Sequence, residues 1–123
     1  METRSIVAPA AGLVGVGLAT LAYAGLVERN LFRLREFEVP VLAPGADPLR
    51  LLHLSDLHLT SAQRRKVDWI RGLDRLDPDL VVVTGDFLAG MDAIGPVLAA
   101  LEPLLQRPGA FVPGNNDYYA PRF

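Results

Sequence analysis

Residues 80–86 read Leu-Val-Val-Val-Thr-Gly-Asp. Three successive valines, each stiff at χ1, favour an extended chain, and residues 80–84 form the clearest strand signal in the sequence. The strand runs straight into Gly85-Asp86, so a carboxylate follows directly behind it.

Two similar units flank this one. Residues 49–55 are a short, nearly continuous apolar run, which fits a strand buried on both faces, and it ends in Ser55-Asp56-Leu57-His58. Residues 110–112 read as a third strand, followed by Gly114-Asn115-Asn116-Asp117. From about 61 to 76, Val67, Ile70, Leu73 and Leu76 recur every third residue, which fits one face of a helix capped by Thr60 or Ser61. Asp77-Pro78-Asp79 ends it. A second helix is expected over about 93–106, with Asp92 as its cap. Ile94, Val97, Leu98, Leu101, Leu104 and Leu105 would form its buried face. Pro96 falls in its first turn, where proline is tolerated, whereas Pro103 predicts a kink or restart. Strand–helix–strand–helix–strand implies an α/β fold with right-handed crossovers and a parallel sheet.

Upstream, the chain changes character. Residues 5–27 carry no charged side chain, and 16 of these 23 are apolar. That is long enough to cross a hydrocarbon core of about 30 Å at about 1.5 Å per residue. Gly12, Gly15, Gly17 and Gly25 weaken a soluble helix but are tolerated in lipid. A single-pass transmembrane helix is the first expectation. A cleaved signal peptide is the alternative, because Ala22-Tyr23-Ala24 has the small-x-small form of a cleavage site; a buried core helix is the third. Arg29, Arg33 and Arg35 after the segment, against Arg4 before it, favour a cytoplasmic C-terminal domain. Arg33 to Val39 shows broken alternation suggestive of an edge strand, and residues 43–48 (Ala-Pro-Gly-Ala-Asp-Pro) read as a turn. The expected organisation is therefore 1–27 anchor or signal, 28–48 juxtamembrane strand and turn, and 49–123 a catalytic-type domain. Cysteine is absent, which excludes disulfides, Cys-ligated zinc and thiol catalysis. A net charge of −2 with no basic tract makes nucleic acid a poor partner.

In a parallel sheet the three polar clusters lie side by side at the carboxyl edge, where open α/β folds bind their ligands. On an extended chain Asp56 and His58 would point to the same side. Two carboxylates, an imidazole and an amide oxygen are a donor mixture suited to a divalent transition metal. Gly85 and Gly114 fit close turns that let the chain double back there.

The pattern Asp56-x-His58, then Gly85-Asp86, then Gly114-Asn115-x-Asp117 resembles the calcineurin-like metallophosphoesterases, over about residues 37–119. The resemblance implies an αββα sandwich, of which this chain would supply the N-terminal half. It implies two divalent metal ions (Mn, Fe or Zn), with Asp56 and His58 on one, Asp86 bridging both, and Asn115 on the other. It also implies hydrolysis of a phosphoester or pyrophosphate by a metal-bridged hydroxide. Asn116 and Asp117 are the candidate catalytic residues; Asn116 stands where the family often has His and cannot transfer a proton at neutral pH. The family's remaining ligands are three further histidines, including a Gly-His-x-His motif. The other imidazole here is His53, expected to be structural within its strand. The expectation is a truncated metal-dependent phosphohydrolase of the membrane-associated bacterial type, with weak metal binding by this chain alone. Its substrate would be a phosphorylated small molecule or, given residues 5–27, a lipid-linked phosphate. The alternative is a membrane-anchored α/β binding module or an inactive fragment. Trp69 is expected to pack a helix, Arg64, Arg65 and Lys66 to form a solvated face or, lying near the metal-side loop, to meet a phosphate, and Tyr118 and Tyr119 to rim the site or cover an edge.

Overall fold

The computed structural model describes Gly15, residues 17–23 and residues 31–120. The chain divides into two compact units, Met1–Arg35 and Glu36–Phe123. In the first unit, Gly15 and residues 17–23 are helical and exposed. The remainder of the expected 5–27 span lies outside the described residues. Among the described residues, no helix is long and apolar enough to cross a membrane.

Residues 36–41 of the second unit are irregular and exposed, as are 31–35 of the first save half-buried Phe32, so the expected edge strand does not form. Its alternation presents too few apolar side chains to one face, and no described strand pairs with it. The turn does form. Ala46 N–H donates to Ala43 O at 3.0 Å. Pro44 occupies the first central position, and Gly45, at φ +84°, supplies the left-handed second position of a type II turn.

Three parallel strands follow: β1 (Leu51–Ser55), β2 (Leu80–Gly85) and β3 (Gly109–Pro113), in the spatial order β1-β2-β3. Leu51 pairs with Leu80 and Val81 with Gly109. Gly109 is required by this approach, since a Cβ there would lie 2.1 Å from Val81 O. Helix α1 (Arg64–Arg71) joins β1 to β2, and α2 (Ile94–Leu101) joins β2 to β3. Two right-handed crossovers stepping the same way along a sheet put both helices on one face. Leu52, Leu54, Val81 and Val83 are buried under them with Ile70, Val97, Ala100 and Leu101. The other face carries Leu51, His53, Val82 and Val112, with Leu51 50% and Val112 59% exposed. β1 is therefore buried on one face, not two. The apolar run alone does not distinguish these cases, because Leu51 is as apolar as Leu52.

The helices depart from expectation in one consistent way. A strict spacing of three is the period of a 3-10 helix rather than an α-helix. After Gly72 the chain does tighten into a 3-10 turn, Gly72–Leu76, which carries Leu73 into the core. Asp77, at φ +50°, stops it in the left-handed region. Neither Thr60 nor Ser61 caps α1. Gln63 holds the cap position, and Thr60 N–H donates to Gln63 Oε1 at 3.1 Å. Asp92 does not cap α2 either. It lies in a 3-10 turn, Met91–Ala93, and accepts a hydrogen bond from Ser61 Oγ, which ties the two helix entries together. Pro103 ends the α-helical hydrogen bonding as expected, and the chain restarts as a 3-10 turn, Leu104–Gln106. The buried stripe of α2 runs through Val97, Ala100 and Leu101 and continues at Leu104, which leaves Ile94, Leu98 and Leu105 exposed and puts Ala100 in the core instead.

Ile70 is fully buried between the helices and the sheet. Ile70→Ala is expected to cost about 2–5 kcal/mol, the usual range for a cavity of that size. A lowered urea midpoint at unchanged slope checks it.

Candidate metal centre

Beyond their last strand residues, the loops after β1 and β2 stay joined. Asp56 N–H donates to Thr84 O (3.0 Å), His58 N–H to Asp86 O (2.9 Å) and Leu59 N–H to Phe87 O (2.9 Å), and Leu59 and Leu88 form an isolated parallel bridge. Leu57 and Leu59 pin the first loop into the core. Between these anchors the chain is not extended, as the sequence suggested, but curls. Asp56 has φ +52° and His58 φ +40°. Asp and His are among the non-glycine residues that adopt this region most readily, at some cost in strain. Lys66, from α1, donates its ammonium to Leu57 O between them. This lysine therefore braces the loop and is not simply part of a solvated face, whereas Arg64 and Arg65 are exposed.

The curl brings together side chains from two loops. One ligand atom each of Asp56, His58 and Asp86 lies within 4.8 Å of the others. His58 Nε2 is 3.7 Å from Asp86 Oδ2, with the imidazole 47% exposed and the carboxylate 13%. Asp86 divides its two oxygens: Oδ1 accepts the Asn116 backbone N–H at 3.0 Å, while Oδ2 faces the histidine. Asp56 accepts the Ser55 hydroxyl at Oδ2 and lies 3.4 Å from the Asp86 N at Oδ1. The Ser55 hydroxyl, then the Asp86 amide, and to a smaller extent the two nearby histidines, hold the Asp56 carboxyl below the usual carboxylate range against its partial desolvation.

Two glycines make room for these carboxylates. Gly85 sits at φ +78°, and a Cβ there would lie 2.2 Å from Asp56 Oδ1. At Gly114 a Cβ would lie 2.0 Å from Asp86 Oδ1. The third cluster opens a short helix, α3 (Asn115–Tyr119). Asn115 is its first residue, with Nδ2 3.4 Å from Asn116 Oδ1. Asp117 is a latch between loops: Oδ1 accepts both Phe87 N–H (2.8 Å) and Leu88 N–H (2.9 Å), and Oδ2 accepts Gly114 N–H (2.9 Å). Its carboxylate is thus spent on three backbone donors. Asn116 reaches the centre through its backbone amide. The sequence gives Ser55 no separate part and places Lys66 on a solvated face. Adjacency to Asp56 was the available signal for the first; the second depends on how α1 folds back. Tyr118 and Tyr119 are exposed on α3.

The donors fit a divalent cation. Ligand atoms bound to one ion at about 2.1 Å lie no more than about 4.2 Å apart, and the His58–Asp86 pair already satisfies this. Two carboxylates and an imidazole at the carboxyl end of a parallel sheet define the class: an α/β protein with a metal-type site at its strand ends. The family model for calcineurin-like phosphoesterases matches residues 49–123, more than half of the chain, and the chain belongs to that family. No curated protein and no solved structure matches it significantly.

Two outcomes follow. Gly85→Ala combines left-handed strain of about 1–2 kcal/mol with displacement of the Asp56 carboxylate, and should weaken Mn²⁺ uptake more than about tenfold while the far-UV spectrum is kept. Ser55→Ala removes the largest influence holding the Asp56 carboxyl low. Protons then compete with metal at higher pH, so a pH series of Mn²⁺ titrations should show binding lost at a higher pH than in the wild type.

Proposed function

We propose that this chain carries part of the centre of a metal-dependent phosphohydrolase with two divalent ions, Mn, Fe or Zn. The observation that carries the reading is the Asp56–His58–Asp86 group in a chain of the calcineurin-like phosphoesterase family. Asp56 and His58 would hold one ion, Asp86 would serve both, and Asn115 would hold the other. When bound, such ions supply Lewis-acid activation of phosphoryl oxygens and of water. The chain's own residues prepare that site. Ser55 and the Asp86 amide hold the Asp56 carboxyl below the usual carboxylate range, the Asn116 amide orients Asp86, and Asp117 fixes the loop behind them. In this reading Asn116 and Asp117 act by position rather than by proton transfer. Two ions take more donors than these four, so the reading requires further ligands from outside residues 49–120. Among the described residues no helix covers the sheet face beside the site, the face that the second sheet of an αββα sandwich would pack against.

The substrate is a phosphorylated small molecule or a lipid-linked phosphate. The second is favoured by the uncharged segment 5–27, which we assign to membrane attachment as a single-pass anchor.

Isothermal titration of the full chain with Mn²⁺ tests the metal reading. The wild type should bind weakly, and Asp86→Ala should lower affinity by at least about tenfold. Unchanged affinity in a variant with Asp56, Asp86 and Asn115 all replaced by Ala would sink the reading in favour of a binding module.

A further inference from the structure

We propose that His53 is a positioning residue for the metal centre, acting on Asp56 through Thr84; the inference rests on the metal reading above. His53 lies in β1 on the sheet face opposite Leu52 and Leu54, exposed and outside the core. Packing therefore does not account for a histidine between Leu51 and Ser55 on that face. Its Nε2 lies 2.8 Å from Thr84 Oγ1. The two are not register partners, since His53 pairs with Val82 and Ser55 with Thr84. The bond thus runs diagonally, toward the carboxyl edge where the site lies.

Thr84 is the residue from which both metal-bearing loops hang. Its carbonyl accepts the Asp56 N–H at 3.0 Å. It also precedes Gly85, whose left-handed φ turns the chain into Asp86. Thr84 is only half-buried and lies one residue from the carboxyl end of the central strand. A side-chain tie from the neighbouring strand restrains it there. From the helix side the same loops are held by Lys66 on Leu57 and by Asp117 on Phe87 and Leu88. His53 supplies restraint from the opposite face.

The test uses the full chain in three variants: His53→Leu, Thr84→Val and His53→Gln, whose amide can reproduce the Nε2 contact in either direction. Hydrogen exchange at the Asp56 amide, Mn²⁺ affinity and melting temperature are measured for each. His53→Leu and Thr84→Val should both speed Asp56 exchange and weaken Mn²⁺ binding, each by about tenfold, with little change in melting temperature. His53→Gln should restore both. Asp56 exchange at the wild-type rate in His53→Leu overturns the proposal. So does faster exchange along all of β1 and β2 with a lowered melting temperature, which is a merely structural role, or failure of Gln to rescue. If His53→Leu does not fold, Thr84→Val breaks the same contact from the other side. If the wild type takes up no Mn²⁺, the metal reading fails, while Asp56 exchange still decides whether His53 positions this loop.

Discussion

The parallel pairing of β1 with β2 continues past the ends of both strands, and the site depends on that continuation. A parallel ladder ordinarily frays where its strands diverge. Here amides of Asp56, His58 and Leu59 go on donating to Thr84, Asp86 and Phe87. The loops therefore leave the sheet in register, the Asp56 carboxylate reaches the Asp86 amide thirty residues on at 3.4 Å, and His58 Nε2 comes to 3.7 Å from Asp86 Oδ2. Leu57 and Leu59 make this affordable, because they bury apolar surface on alternate residues of the loop while Asp56 and His58 point away from the core. Burial stabilises the odd positions; the even ones are left for chemistry.

The same constraint explains the glycines and the curled backbone. Two carboxylates cannot approach a sheet edge this closely if the facing residues carry a Cβ, as the contacts at Gly85 and Gly114 require. Asp117 adds an opposite kind of closeness. By accepting from two successive amides after Asp86 and from one before Asn115, it ties the second loop to the third. Left-handed strain at Asp56 and His58 is sustained because Leu57 between them is held by the core and by Lys66. Strained residues at a site persist when their surroundings over-determine them, and here both flanks do so.

Much of this was legible in the residues. The valine run of β2, the strand–helix alternation and the three polar clusters lead directly to a parallel sheet with Asp56, His58 and Asp86 at one edge. What was not legible has physical causes. Leu51 and Leu52 are equally apolar, so one-sided burial of β1 follows only from both crossovers lying on one face. The three-residue spacing of Val67, Ile70, Leu73 and Leu76 marks a change from α to 3-10 winding, which a helix-face reading misses. Asp92 and Ser61 look like caps because short polar side chains usually are; here they satisfy each other across two loops. The expectation that Asp56 and His58 share a side because the chain is extended reached the right pairing for a wrong reason. They converge because both adopt left-handed backbone.

The two faces of the sheet therefore do different work. The helix face holds nearly all of the buried apolar side chains and accounts for the fold. The other face is thinly apolar, and near the site it turns polar: His53, Thr84 and Ser55 lie along it toward the carboxyl edge. That gradient is hard to explain as an ordinary solvated face, since Leu51, Val82 and Val112 accompany it. Its apolar end lies away from the site, and its polar end borders the Asp56–His58–Asp86 group. Asp56 sits where the two meet, with its amide belonging to the ladder and its carboxylate to the site. Any force that shifts the sheet edge is thereby carried to the Asp56 carboxylate.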